Sequence, residues 1–479
     1  MIDNTPNIHL FKLYKKCYLY DVNTNNIISI PNKIYSYLYN LINKKEEVYL
    51  ENKEKEYIEK LYKNGFLKPI NNDVKIKHFE TDYLEEYYLN SLSTLTLQVT
   101  QNCNLRCAYC VYSGSYENRI HNNKRMDWET AKKSIEFLHK HSKYSNKISI
   151  GFYGGEPLLE WDLIVKSVTL AEELFKDKEL SFTITTNATV LKEHMLKFLF
   201  EEHNFNVTIS LDGPKDIQNS NRIFSNGNKN TFEVVMEKLQ MIEKLNKNYL
   251  DKISFNDILD LNQNLSSSNE FFMSYDLVKD ISVMGNYINE NNKKEKNIDI
   301  PKYYVEAQYE TFKSYIYYSK NILNNYKPKI SNVELADLKR RFFERMIVNS
   351  TDLQQDSPAG QCLPGVQRFF VTAYGKFYPC ERVNEQSEDL CIGDIDNGFN
   401  LENAKRLLNI GQIIEEQCKK CWCFKLCNQC VSLAEKDGKI SKSERLSHCS
   451  NIRKGVEHSM KDYIALKTYG LDFNLLEEI

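Results

Sequence analysis

Residues 95–110 read LTLQVTQNCNLRCAYC. The apolar run LTLQVT has the length and composition of a strand, and it opens directly into a loop carrying Cys103, Cys107 and Cys110. The C-x3-C-x2-C group therefore hangs from one end of a strand. Thiolates are soft ligands that suit zinc or iron–sulfur clusters. Three of them complete a zinc knob only with a distant fourth ligand, and zinc motifs usually use C-x2-4-C pairs. A cubane of four irons held by three thiolates keeps one iron open to a small chelating ligand.

Downstream, strands and helices alternate. MDWETAKKSIEFLHKHS (126–142) is an amphipathic helix with Asp127 as its N-cap, KISIGFYG (147–154) a strand and LIVKSVTLAEELFK (163–176) a helix. LSFTITTN (180–187), VTISLDG (207–213) and KISFNDIL (252–259) follow as strands with helices between them. The pattern predicts a parallel sheet covered by helices, whose ligands bind at the carboxyl ends of the strands. The polar, Asn-rich segments LNQNLSSSNEFF (261–272) and NYINENNKKEKNIDI (286–300) read as loops or insertions, and 302–349 as helical, bridging two domains.

Upstream, residues 8–31 read as two strands, IHLFKLYKKCYLYDV and IISIP, joined by NTNN. Two helices, NKIYSYLYNLI (32–42) and NKEKEYIEKLYKNG (52–65, closed by Gly65), come next, and FLKPI (66–70) returns as a short strand. A hairpin with helices is a small winged-helix-like module. It serves either as a structural cap or as a peptide-docking module that offers a strand edge.

The 479 residues suggest roughly three domains. With 42% hydrophobic and 12% aromatic residues the chain is not disordered. Lys plus Arg number 63 and Asp plus Glu 65, and a net charge of −2 gives no broad nucleic-acid or anionic-membrane footprint. No apolar run reaches bilayer length, and the N-terminus MIDNTPNIHLFKLYKKC lacks a signal-peptide core, which predicts a soluble, cytoplasmic protein. In that reducing compartment thirteen cysteines point to metal or cluster ligation over disulfides. Cys17 stands alone and reads as a packing residue. Nine cysteines lie between Cys362 and Cys449, in a segment of little periodicity that needs metal to hold it together.

C-x3-C-x2-C with Tyr109 in its aromatic position resembles the cluster motif of radical S-adenosylmethionine enzymes. The resemblance implies a [4Fe–4S] cluster on Cys103, Cys107 and Cys110, with S-adenosylmethionine chelated to its open iron and cleaved to a 5′-deoxyadenosyl radical. Gly154-Gly155-Glu156-Pro157, one βα unit later, resembles the family's methionine-binding motif, with Glu156 accepting from the ammonium. Thr183-Ile-Thr185-Thr186-Asn187 resembles its ribose-contacting segment, with Ala188 where a Gly is usual. Ser210-Leu-Asp212-Gly213-Pro214 and Arg222 complete the series, Arg222 pairing with the cofactor carboxylate. Asn256 is a further candidate for the cofactor wall.

Cys362-x12-Gly375-x4-Cys380, then Cys418-x2-Cys421-x5-Cys427-x2-Cys430 and Cys449, resembles the SPASM extension of enzymes that modify peptides and proteins, with C-x2-C where its central run usually ends in C-x3-C. The resemblance implies one auxiliary [4Fe–4S] cluster on Cys418, Cys421, Cys427 and Cys449. A second, on Cys362, Cys380 and Cys430, has its fourth position open or filled by a spare thiol (Cys391 lies nearest, and Cys423 is also spare). A pair of structural zinc sites is the alternative.

The implied architecture is α/β. A winged-helix-like recognition module (1–85) precedes a partial (β/α)6 barrel (93–300), a helical bridge (301–355) and a SPASM domain (356–479). The segment CVYSGSYENRIH (110–121) resembles maturases of Cys-containing ribosomal peptides, which commonly join a cysteine sulfur to carbon. That implies three [4Fe–4S] clusters, S-adenosylmethionine, a precursor peptide with a leader, and a flavodoxin- or ferredoxin-type reductant. Two other readings compete. A sulfatase-type formylglycine maturase has no use for the docking module. A non-catalytic iron–sulfur carrier has no use for GGEP and Arg222.

Overall fold

In the computed structural model, residues 5–46, 48–70, 73–113, 116, 121–260, 263–288, 300–320, 326–330, 332–344, 354–358 and 360–476 are described. The chain opens with three antiparallel strands, β1 (Ile8–Leu13), β2 (Lys16–Asp21) and β3 (Asn26–Ile30). The expected single strand over 8–22 is thus a hairpin, with Leu13 facing Lys16 across Tyr14-Lys15. No Gly or Asn announces that turn, and Tyr14 itself takes the left-handed conformation (φ 53°) that hairpin turns demand. Helices α1 (Asn32–Ile42) and α2 (Asn52–Lys63) follow. FLKPI is not a strand: Pro69, which has no N–H, makes only an isolated bridge to Pro6.

Strand β2 reads apolar at nearly every position because both of its faces are covered. Cys17 and Leu19 point into a core shared with Ile34 and Leu38 of α1. Tyr18 and Tyr20 point the other way, into a core shared with Cys423, Phe424, Leu426, Val456 and Met460 near the far end of the chain.

Past β4 (Lys75–Ile76) and α3 (Leu84–Asn90) come the parallel strands: β5 (Thr94–Thr100), α4 (Trp128–Lys140), β6 (Lys147–Gly154), α5 (Trp161–Leu174) and β7 (Glu179–Thr186). Then α6 (Glu193–Lys197), β8 (Phe205–Ser210), α7 (Lys215–Asn221), α8 (Thr231–Leu245), β9 (Ile253–Leu259), α9 (Leu265–Ser274) and β10 (Ser282–Tyr287). The six strands β5 to β10 lie side by side in chain order, the arrangement of an unclosed (β/α) barrel. Asp127 caps α4 by accepting from the Thr130 amide at 2.7 Å.

Both expected loops overlap regular elements. Residues 265–274 form α9, and β10 ends on the first two residues of the second expected loop, Asn286 and Tyr287. The polar run of α9 misleads because its Asn269 is buried yet satisfied, donating to Glu310 at 2.8 Å and Tyr326 at 3.0 Å, while Phe271 and Phe272 join the barrel core. Residues 289–299 of the second expected loop lie outside the described residues. The expected bridge contains α10 (Ile300–Lys320) and α11 (Asn332–Leu338), with 321–325, 331 and 345–353 outside the description.

After β11 (Gln355–Asp356), β12 (Phe370–Val371) adds in parallel to β5, and β13 (Lys376–Tyr378), β14 (Gly393–Asp394) and β15 (Gly398–Phe399) continue antiparallel. The cysteine-rich segment thereby extends the barrel sheet to ten strands. It continues through α12 (Leu401–Leu408), α13 (Glu415–Lys419), α14 (Lys442–Ser447) and α15 (Cys449–Thr468). Among the described residues, no helix is long and apolar enough to cross a membrane.

Phe272 is fully buried, so Phe272→Ala should destabilise the fold by about 3–5 kcal/mol. A drop in the thermal unfolding midpoint checks it; an unchanged midpoint would mean that 265–274 is the loop its composition suggests.

Candidate functional site

The cysteine loop leaves β5 at Thr100 and is held from two sides. On one side, the Gly155 amide donates to the Thr100 carbonyl at 2.8 Å and the Glu156 amide to the Asn102 carbonyl at 2.9 Å. A Cβ on Gly154 would lie 2.0 Å from the Thr100 carbonyl oxygen, and one on Gly155 2.1 Å from that of Asn102. The paired glycines therefore admit the backbone of the cysteine loop itself. On the other side, the amides of Arg106 and Ala108 donate to the carbonyls of Ile223 and Asn221 (2.6 and 2.9 Å), and that of Ser225 to Asn104 (2.9 Å). The loop is thus fastened to the segment that follows α7.

Glu156 is fully buried. Its carboxylate accepts from the Thr186 hydroxyl (2.6 Å), the Asn187 amide (2.8 Å) and the Leu158 amide (3.1 Å). It ties the GGEP turn to the end of β7. The contact is made by Thr186, next to the cofactor-wall candidate Thr185, which is half-buried. Alternation along a strand separates the two, and the sequence does not say which faces inward. Asn187 donates to Asn104 at 3.0 Å and reaches the Cys103 sulfur at 3.8 Å. The Leu105 amide donates to the same sulfur at 3.3 Å. Ala188 sits at φ 57°, the left-handed region where the usual Gly is at ease.

Arg222 is buried and bidentate to Asp212, Nε at 3.0 Å and Nη2 at 2.9 Å. Asp212 also accepts from the Tyr109 hydroxyl at 2.6 Å, and the Tyr109 ring centroid lies 5.4 Å from the guanidinium carbon. Arg222, expected to pair with a cofactor carboxylate, is one half of a buried ion pair with Asp212. Asp212 is the member that the sequence reading quoted but gave no role. Its place at the carboxyl end of β8, followed by Gly-Pro, was the available signal. Asp257 stands near them, its carboxyl pushed up by burial and by Asp212. Ser210 and Asn256 are register partners on β8 and β9, and Asn256 accepts from Asn286 at 2.7 Å.

Glu385, unnoticed in the sequence, comes from the cysteine-rich segment. It accepts from Gln98 (2.6 Å), Gln101 (3.1 Å) and Tyr112 (3.1 Å), and so clamps that segment to β5 and the cysteine loop. Of 110–121, residues 114–115 and 117–120 lie outside the described residues.

Burial pushes the thiols of Cys103 and Cys107 up to about 12, and these two and Cys110 lie within electrostatic reach of one another. Such thiols keep their protons at neutral pH until a metal displaces them. Among the C-terminal thiols, Cys418, Cys421, Cys427 and Cys449 interact electrostatically in every pairwise combination. Cys430 interacts with both Cys362 and Cys380, and Cys362 and Cys430 are exposed. Cys391 faces elsewhere, its thiol donating to the Gly393 carbonyl at 3.3 Å. Cys423 is buried at the edge of the quartet, beside Cys421 and Cys427. Cys17 packs in the N-terminal core and donates to Asn32 at 2.9 Å. Among the described residues, no three His, Cys, Asp or Glu side chains converge closely enough for a single metal ion. The quartet nonetheless fits an anionic cluster, because the buried Arg445 beside it has no hydrogen-bond partner for any of its three guanidinium nitrogens.

The family model of the Radical SAM superfamily matches residues 97–265. An uncharacterized protein of Methanocaldococcus jannaschii is 36% identical over 147 residues, 31% of this chain and 48% of that one. A cysteine-type anaerobic sulfatase-maturating enzyme of Clostridium perfringens is 25% identical over 382 residues, 77% of this chain and 96% of the relative. The chain thus spans about half the length of the first relative and nearly all of the second. The solved structure of native anSMEcpe with bound AdoMet matches with a TM-score of 0.57 at 21% identity, over 78% of this chain and 100% of that one, a likeness of fold.

Glu156 links this geometry to pH. Burial pushes its carboxyl up to about 7, against about 4.3 in an unfolded chain. The folded state then holds the proton more tightly, so this group's stabilisation is full below about pH 4.3 and is lost as pH rises to about 7. The loss amounts to about 4 kcal/mol. Unfolding measured between pH 5 and 8 should show a decline with pH that flattens in Glu156→Gln; an identical slope in the variant would refute the assignment.

Proposed function

We propose that this chain, a radical SAM enzyme by its domain at residues 97–265, matures a ribosomally made, cysteine-containing peptide and joins a cysteine sulfur to a carbon of another residue. The observation that carries the reading is the division of the C-terminal thiols into a quartet and a trio, of which Cys362 and Cys430 are exposed, in a segment whose strands continue the sheet of the radical domain.

Cys103, Cys107 and Cys110 would hold the radical-generating cluster. Cys418, Cys421, Cys427 and Cys449 would hold one auxiliary cluster, and Cys362, Cys380 and Cys430 the other. When bound, these groups and S-adenosylmethionine supply a 5′-deoxyadenosyl radical that takes one hydrogen atom from the peptide, and an acceptor for the electron left as the sulfur–carbon bond forms. The chain's own residues position and insulate. Glu156 locks the GGEP turn, leaving its backbone to face the methionine ammonium. Asp212 holds Arg222 and Tyr109 rigid, so that the carboxylate meets an oriented guanidinium face. Asn187 and the Leu105 amide donate to the Cys103 sulfur and stabilise its thiolate form. Thr185, Ser210 and Asn256 line the carboxyl ends of the strands as the cofactor wall. The trio lacks a fourth thiol, which leaves a position for the substrate's own sulfur.

The N-terminal sheet suits a leader peptide, since it has two edges and faces already buried in packing, so that a further strand adds at an edge. A flavodoxin- or ferredoxin-type protein is the reductant in this reading.

Oxidation of a target cysteine to formylglycine is the second reading, favoured by the near-complete span of the sulfatase-maturating relative. Product mass separates them. A thioether retains sulfur and loses two hydrogens, one taken as an atom and one released as the thiol proton. Formylglycine loses sulfur and gains a carbonyl.

Reconstituted without oxygen and reduced with dithionite, the protein should release 5′-deoxyadenosine from S-adenosylmethionine, and a Cys103→Ala/Cys107→Ala/Cys110→Ala variant should not. Release by that variant, or stoichiometric zinc without cleavage, would overturn the proposal. Gly155→Ala drives a methyl into the Asn102 carbonyl, and cleavage should fall by about 100-fold.

A further inference from the structure

Arg445, on α14, is fully buried. Its Nε, Nη1 and Nη2 have no hydrogen-bond partner among the described residues. A guanidinium cannot shed its charge, and an uncompensated buried cation costs several kcal/mol. The other deeply buried arginine, Arg222, is held by Asp212. Among the described residues, Arg445 has no such carboxylate. Its neighbours are the quartet: its charge acts on Cys418, Cys427 and Cys449. Its own carbonyl accepts from the Cys449 thiol at 3.6 Å and from Gln429 at 2.7 Å, which pins the helix turn in place. The trio is served differently, since Arg368 beside Cys362 is solvent-exposed and paired with Glu381 at 2.6 Å.

Neutral thiols do not compensate a buried cation. An anionic body with several sulfur acceptors does. We propose that Arg445 is the built-in counter-cation of an iron–sulfur cluster on Cys418, Cys421, Cys427 and Cys449, donating its N–H groups to the sulfurs and raising that cluster's reduction potential. This rests on the reading that the quartet holds a cluster. Net charge and hydrogen bonds to sulfur are levers that set such potentials, and a buried positive charge favours the added electron. Arg445 acts through the cluster and is a positioning residue.

The test uses the full chain with Cys103, Cys107 and Cys110 replaced by Ala, so that only auxiliary iron reports. After anaerobic reconstitution, iron is counted and a redox titration is followed by electron paramagnetic resonance. The quartet's wave is identified by its loss in Cys418→Ala. In Arg445→Met this wave should move down by at least about tenfold in the ratio of reduced to oxidised cluster at fixed potential, equivalent to 59 mV for one electron. Arg445→Lys should restore part of the shift. The iron-free chain adds a readout that a plain packing role would reverse: Arg445→Met should leave its unfolding midpoint unchanged or raised, because an orphan charge is removed. A wave that stays put in Arg445→Met, or an iron-free chain that loses stability with the substitution, would overturn the inference. No iron in the background protein would overturn the cluster reading beneath it, and the inference with it.

Discussion

The site depends on one constraint: a loop of three cysteines must be held in place although it has no regular structure of its own. The chain meets it with backbone hydrogen bonds on two sides. The amides of Gly155 and Glu156 hold residues 100–102, and the carbonyls of Asn221 and Ile223 hold 106–108. Close approach on the first side is open only to residues without a Cβ. The second side carries Arg222 into the pocket along with the backbone that grips the loop. The three cysteines, Glu156 and Arg222 are thereby placed by one network, which limits how far any of them can drift.

Charge is handled in two ways. Around the barrel mouth Arg222 meets Asp212, Asp212 meets Tyr109 as well, and Glu156 receives three donors, while the buried Asp257 beside them keeps one carboxyl oxygen without a hydrogen-bond partner among the described residues. Arg222, Asp212 and Glu156 are thus held in place by groups of the chain itself. Near the C-terminal quartet the balance is left open at Arg445. A compensated site is ready to receive a neutral or zwitterionic molecule; an uncompensated cation calls for an anion.

The segments far apart in the chain are joined by packing and by sheet. β12 continues the barrel sheet from β5, and Glu385 latches the cysteine-rich segment to Gln98, Gln101 and Tyr112. The N-terminal sheet lays Tyr18 and Tyr20 on Phe424 and Leu426, and His9 stacks on Trp422 with centroids 3.8 Å apart. A peptide held at the N-terminal sheet would therefore sit on the same body as the quartet, and the covalent distance between the modules is no measure of their spacing.

The order of β and α elements, the thiol groups and the strand-end positions of GGEP, Thr183–Asn187 and Ser210–Asp212 were legible by reading along the chain, because they rest on local periodicity and on spacing between neighbours. α9, β10 and the hairpin at Tyr14 were not. The polar face of α9 is satisfied by Glu310 and Tyr326, forty and more residues away, and Tyr14 adopts a turn conformation that its residue type disfavours. In the site, the sequence named Glu156, Asn187 and Arg222 but not what each touches. Whether a buried charge is free, paired or orphaned depends on groups brought together from distant parts of the chain. Only the tertiary structure decided that Arg222 is paired with Asp212, that Thr186 contacts Glu156, and that Arg445 lies near Cys418, Cys427 and Cys449 with no hydrogen-bond partner for its guanidinium among the described residues.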